Sequence, residues 1–215
     1  MPHYWPIPRE RQALVVFVDL PVELLWRSSL YPALLLDTLA VARAADVPVT
    51  LSVPPQPYEF DLPETWRVAR QPQRPYDRRL AQALDAAFRR GAQGVVAIGI
   101  GTPHLLPQRL CEAFAALDTH DLVVGLGSAG GWYALGLREP APWLLEKLPG
   151  AAADFAARLR ARAEAHALRV RLLPEETIVA LDDPASSLQA SQLAGPPWRA
   201  PLTARALRGE GGQKR

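Results

Sequence analysis

Residues 94–107 read GVVAIGIGTPHLLP, and their order decides the fold class. An apolar run, a turn holding Gly99 and Gly101, and a proline at position 107 predict a buried strand, a glycine-rich turn and a proline-started helix. A strand that reads as a continuous apolar run is covered on both faces, as in parallel sheets flanked by helices. Such a turn is a common place for a ligand. Yet Thr102 is its only hydroxyl, and it holds no carboxylate and no lysine.

The same alternation continues on either side. ALVVFVDL (13–20) predicts a strand ended by Pro21, and residues 27–45 a helix with Leu35, Leu39 and Ala42 on one face. VPVTLSV (47–53) is the next strand, closed by Pro54 and Pro55. A proline-rich connection to about residue 75 is too broken for a long helix. Helical spacing returns over 76–90 through Leu80, Leu84 and Phe88, with Gly91 as a stop. Beyond the central turn the pattern predicts a helix over 107–117, strands at 121–127 and 132–137, and a helix over about 150–168. LRVRLL and IVALDD follow as further strands. The expected fold is α/β, a three-layer sandwich with a mostly parallel central sheet. Residues 1–190 are expected to form a single domain. Residues 191–215, without hydrophobic periodicity, read as a C-terminal tail.

Composition narrows the functional classes. The chain has 215 residues and is 49% hydrophobic, enough for one substantial core. Its apolar runs are too short to span a membrane, and its first residues do not resemble a secretory signal. A single cysteine, Cys111, precludes an internal disulfide, and a cytoplasmic setting is expected. Beside Leu110, Phe114 and Leu117, that thiol is expected to be buried. The net charge of +2, with both signs interspersed, points away from nucleic acid. Of 24 basic residues, Lys147 and Lys214 are the only lysines, leaving 22 arginines, and asparagine is absent. Coding bias in a GC-rich genome accounts for this pattern, with a thermophilic source as the alternative.

In open α/β sheets, ligands sit beyond the carboxyl ends of the strands, which directs attention to the loops at 19–28, 99–104 and 125–131. Their residues stand as FVDLPVELLWRSSL (17–30), GIGTPHL (99–105) and GLGSAGGWYALGL (125–137), joined by QPQRPYDRRL (71–80) and LDDPASSL (181–188). Together they resemble a family of bacterial glycosyltransferase-like proteins associated with radical-SAM and selenoprotein-domain gene clusters. That resemblance spans roughly residues 13–188 and implies the nucleotide-diphospho-sugar transferase (GT-A) fold. The family's loop-shaping residues are kept at Phe17, Pro21, Gln71, Arg79, Gly99, Pro103, Gly130, Gly131 and Tyr133. Its carboxylates are not: Gly101 stands for the aspartate of a G-S-D-x-P-x-L pattern, Ala129 for another and Leu181 for a third, although Asp183 keeps a fourth. Arg27 and Ser28 replace a lysine and a threonine, and Asp19 replaces a lysine.

The resemblance therefore implies a diverged transferase-like protein whose metal-binding aspartates are replaced and whose catalysis is impaired. An active metal-independent glycosyl- or nucleotidyl-transferase and a structural or regulatory subunit stand as alternatives. Asp19, Arg27, Ser28, Arg79, Gly99, Gly101, Gly130 and Gly131 are the candidates for holding a nucleotide or its phosphates, through guanidinium pairing and backbone N–H groups. His104, Trp26 and Trp132 are candidates for the crevice, as acid, base or ligand and as stacking surfaces. The catalytic residues are not identified, and no metal or other cofactor is expected. The expected partner is a nucleotide or nucleotide-sugar, with a protein partner or a second copy of the chain as the alternative. Each residue has a plainer reading as well: Arg27 and Arg79 in ion pairs, His104 bonded to backbone, the tryptophans as filling. Asp182 and Asp183 read as a helix cap more economically than as a cation site.

Overall fold

The computed structural model describes residues 6–19, 29–55, 61–128, 130–148, 154–179 and 200–208. The chain begins with a short 3-10 turn, Arg9–Arg11, that leads into β1 (Gln12–Phe17). It continues through α1 (Leu30–Arg43), β2 (Val49–Val53), β3 (Arg67–Arg70) and α2 (Tyr76–Arg89). Then come β4 (Gly94–Gly99), α3 (Pro107–Leu117), β5 (Leu122–Leu126) and β6 (Trp132–Leu137). The chain closes with α4 (Pro142–Leu145), α5 (Phe155–Ala165), β7 (Val170–Leu172) and α6 (Pro201–Leu207).

The strands form one sheet in the order β3-β2-β1-β4-β6-β5-β7. All neighbours run parallel except β6, which is antiparallel to both β4 and β5. This is the mixed α/β sandwich anticipated from the sequence. Side chains of β1 go alternately to two cores. Leu14, Val16 and Val18 pack with Tyr31, Leu35 and Leu39 of α1 and Leu110, Phe114 and Leu117 of α3. Ala13, Val15 and Phe17 pack with Leu80 and Leu84 of α2, Leu144 of α4 and Phe155 and Leu159 of α5. Each fully buried side chain of this size contributes about 1.5–3 kcal/mol relative to exposure, and β1 supplies both layers at once.

The structure departs from the sequence reading at several points. The proline-rich connection contains β3, an edge strand whose residues are largely exposed and therefore lack an apolar run. Cys111 is exposed rather than buried, because the buried stripe of α3 is Leu110, Ala113, Phe114 and Leu117 and the next residue along points away from it. The stretch predicted as a strand at IVALDD is not one at Ile178 and Val179, and its remaining residues lie outside those described.

A further departure is α6, which has no amphipathic pattern of its own yet packs on the outer side of α1. Its N-cap, Ala200, has no side-chain oxygen. Asp37 of α1 supplies one instead, accepting the backbone N–H of Leu202 at 3.4 Å and that of Thr203 at 2.7 Å. Asp37 is buried, so the two orphan N–H groups and the carboxylate satisfy one another away from water. The buried face of α1 is correspondingly wide, running from Tyr31 through Ala42. Asp37→Ala is expected to lower stability by about 1–3 kcal/mol, the cost of an unmade buried hydrogen bond and a lost cap. Amide hydrogen exchange would localise the loss: protection should fall first in residues 201–207, and a uniform fall across the sheet would contradict a local cap.

Candidate functional site

The carboxyl ends of β1 to β5 and the start of β6 meet along one edge of the sheet. The side-chain alternation of the strands divides that edge into two faces. The sequence-predicted candidates do not gather at one point but fall on both.

On the α2 face, Arg79 is the centre. Its Nη2 donates to Asp19 Oδ1 at 2.7 Å, its Nη1 to Gln71 Oε1 at 2.7 Å and its Nε to the Arg74 carbonyl at 3.1 Å. The guanidinium lies 5.8 Å from the centroid of the Phe17 ring and 5.9 Å from that of Tyr76, within cation–π range. Phe17 and Tyr76 meet edge to face with centroids 5.6 Å apart. Gln71 is buried, and its Nε2 donates to the carbonyls of Val18 and Ser52, both at 3.0 Å. One amide thus ties the ends of β1 and β2 together and aims Arg79. Trp132 is buried and donates its indole N–H to the Tyr76 hydroxyl at 2.7 Å, so it braces the wall rather than presenting a free ring. Gly99, the register partner of Phe17, has open space where a Cβ would stand.

The Arg79–Asp19 pair has unequal surroundings. The arginine side chain is 20% exposed and the aspartate 44%. A pair this open is worth about 0–1 kcal/mol. The α2 face thus carries a guanidinium aimed by Gln71 and the Arg74 carbonyl, with a partly exposed carboxylate beside it.

The α3 face is closed. His104 is buried, with Nε2 4.0 Å from Glu176 Oε2, and Glu176 also pairs with Arg109 at 3.3 Å. Arg109 in turn pairs with Glu112. Tyr133 faces the same cluster. The sheet register passes from Gly125 opposite Ala134 to Leu126 opposite Trp132, leaving Tyr133 as the extra residue of a bulge. Its ring lies over Gly125, where an added Cβ would come within 2.3 Å of it, and its hydroxyl donates to the Pro174 carbonyl at 2.8 Å.

Gly101 explains why the β4 loop has no side-chain chemistry of its own. A Cβ there would stand 2.7 Å from Cγ2 of Ile178, and the Gly101 carbonyl accepts the Val179 N–H at 2.7 Å. The segment 176–179 therefore lies directly against the loop. Gly130 and Gly131 have φ of +96° and +75°, so they serve the tight turn from β5 to β6. Trp26, Arg27, Ser28, Ala129, Leu181, Asp182 and Asp183 lie outside the described residues. Among the described residues no three His, Cys, Asp or Glu side chains converge as a metal-binding group. Gly101 offers a divalent cation no side-chain oxygen, its carbonyl is taken by the Val179 N–H, Ile178 fills the space beside it, and Glu176 is engaged by Arg109.

Tyr76, Arg109 and Glu176 are the contributors that a linear reading passes over, and Gln71, kept among the loop-shaping residues, is not among the binding candidates. Gln71 and Tyr76 had a signal in their positions just after a strand and at a helix start. Nothing in the chain near Arg109 and Glu176 marks them as partners.

Burial pushes the pKa of both Tyr76 and Tyr133 well above the ordinary tyrosine value. For Tyr76 the indole hydrogen bond opposes the effect, and for Tyr133 the positive charge of Arg109 does. The unfolded chain releases these protons near pH 10 while the folded chain keeps them, so stability should fall as pH rises past about 10. Denaturant midpoints measured from pH 8 to 11 should show this decline, and Tyr133→Phe should make it shallower. Gly101→Ala should cost about 1–3 kcal/mol by overpacking against Ile178. The loss should shrink in an Ile178→Ala background, and an equal loss in both backgrounds would mean that this contact is not its cause.

Solved structures share this architecture. A candidate nucleotide-diphospho-sugar transferase from Desulfovibrio desulfuricans G20 superposes with a TM-score of 0.77 over 94% of this chain and 95% of its own, at 19% identity. Rv0371C of Mycobacterium tuberculosis H37Rv, in complex with manganese, gives 0.56 over 85% of this chain and 98% of its own, at 15% identity. The 2-C-methyl-D-erythritol 4-phosphate cytidylyltransferase of Thermus thermophilus gives 0.54 over 86% and 98%, at 18% identity. At these identities the likeness is one of fold. No protein of curated function matches the chain. Residues 35–152, which are 118 of the 215, match the family model described as "Uncharacterized protein conserved in bacteria (DUF2064)", and the chain belongs to that family.

Proposed function

We propose that this protein is a diverged nucleotide-diphospho-sugar transferase-like protein that binds a nucleotide or nucleotide-sugar without a divalent cation, with its transfer chemistry lost or much reduced. The observation that carries this reading is the packing at Gly101. Where the resembling family places an aspartate, an added Cβ would stand 2.7 Å from Cγ2 of Ile178, so a side chain there requires Ile178 to move. A magnesium ion usually takes one or two carboxylates beside the substrate phosphates. A metal at such a site supplies several kcal/mol of transition-state stabilisation, and each 1.36 kcal/mol is tenfold in rate, so its loss would cost roughly three orders of magnitude.

Binding is supported by the other face. Arg79 is held in place by Gln71 and the Arg74 carbonyl, its exposed partner Asp19 can yield to a phosphate, and the space beside Gly99 is open. Guanidinium groups pair with phosphate in two parallel hydrogen bonds. The same preset guanidinium favours a second reading, transfer without a metal. In that case Arg79 balances the charge that builds on the leaving phosphate. Membership of the gene-cluster-linked transferase-like family, and a single domain over residues 1–190, belong to the same proposal.

Thermal denaturation with nucleotides and nucleotide-sugars, each with and without manganese, tests the reading. A ligand at a hundred times its Kd adds about 2.7 kcal/mol, or a shift of about 5–11 °C for a chain of this length. We expect such a shift without manganese, lost in Arg79→Ala. A shift that requires manganese would overturn the metal-free reading, and no shift with any nucleotide would turn the search to protein partners. Product formation from the ligand that binds would favour the second reading over the first.

A further inference from the structure

We infer that the opposite edge of the sheet carries a second site, which takes a small phosphate-bearing anion between Arg67 and Arg90. A groove of about 210 Å³ opens there, at the amino ends of β1 and β2 beside the carboxyl end of α2, with Ala13, Thr50, Arg67, Arg90 and Gly91 among its walls and Glu10 at its rim. It lies on the order of 16 Å along β1 from Arg79, so it does not depend on the transferase reading.

The geometry converges on an anion. Thr50 and Arg67 are register partners on β2 and β3, so their side chains leave the sheet on one face, the face that α2 covers. From the end of α2, Arg90 reaches down and donates to Thr50 Oγ1 at 2.9 Å. Arg67 and Arg90 are close enough to feel each other's charge: burial, then Arg67 and Arg89, make Arg90 less willing to hold its proton. Among the described residues neither guanidinium has a carboxylate partner within ion-pair distance, whereas Arg9, Arg78, Arg89 and Arg158 do. Two like charges facing one groove, with a buried hydroxyl between them, are stabilised by a shared dianion. A phosphate monoester carries close to two negative charges at neutral pH and offers three acceptor oxygens to such a fork. Gly91, at φ +96° with nothing within 4 Å of a built Cβ, leaves the approach clear.

Two features oppose the anion, and both are small. The carboxyl end of α2 carries partial negative charge, which Arg89 and Arg90 in and beside its last turn offset. Glu10 also lines the groove, and its negative charge opposes an anion unless the carboxylate turns outward. The groove's volume of about 210 Å³ accommodates a phosphorylated small molecule.

Isothermal titration of the full chain with inorganic phosphate and with glycerol 3-phosphate, at constant ionic strength, tests the site. The expected result is saturable binding that weakens about tenfold or more in Arg67→Ala and in Arg90→Ala, the weight of a charge-assisted hydrogen bond, and that persists in Arg79→Ala. Arg67 lies on an exposed edge strand, so its variant should keep the fold even if loss of the Arg90–Thr50 bond perturbs the other, and circular dichroism checks this. Binding lost in Arg79→Ala but kept in Arg67→Ala would overturn the inference by placing the anion in the crevice. The absence of saturable heat at millimolar phosphate would overturn it as well.

Discussion

Strand β1, inside the sheet between β2 and β4, has no face toward water, and the rest of the structure follows from that. Because β1 sends alternate side chains into two cores, α1 and α3 must cover one side and α2, α4 and α5 the other. The same alternation continues past the strand's end. Asp19 keeps the parity of Phe17 and emerges on the α2 face, where Arg79 meets it. Trp132 and Tyr133, adjacent in β6, are carried to opposite faces. The carboxyl edge is consequently not one crevice lined by every conspicuous residue, but two half-sites separated by the sheet.

The half-sites differ in what they can do. On the α2 face a buried amide, Gln71, spans two strand ends and positions a guanidinium whose counter-ion is largely in solvent. On the α3 face, Glu176 pairs with Arg109 and lies 4.0 Å from His104, while the Tyr133 hydroxyl is committed to the Pro174 carbonyl.

Arginine is the chain's main cation, and its placements are not equivalent. Several sit on the surface in pairs with carboxylates three or four positions away, as Arg89 does with Asp85 and Arg158 with Asp154. Such pairs contribute a few tenths of a kcal/mol and carry no function. Arg79 differs because it donates to three separate acceptors, Asp19, Gln71 and the Arg74 carbonyl, which together fix its direction. Arg67 and Arg90 differ because they face one another across a groove. A coding bias explains why these cations are arginines, and only their surroundings separate one from another.

The sequence by itself determined the elements that rest on local pattern. The apolar run GVVAIGI, its glycine turn and Pro107 placed β4 to within one residue and α3 with its observed bounds, and the alternation of runs and helical stripes specified the mostly parallel sandwich. The absence of a carboxylate at Gly101 was equally legible, since it is a matter of composition. The tertiary structure alone decided what fills that absence, because Ile178 is far along the chain and no local rule brings it to Gly101. It also decided β3, whose exposed edge position removes the apolar pattern a reader looks for, and α6, whose cap comes from Asp37 on another helix. Periodicity reports how a segment meets its own layer. Caps, plugs and counter-ions supplied from elsewhere in the chain leave no period, and only the packed structure shows them.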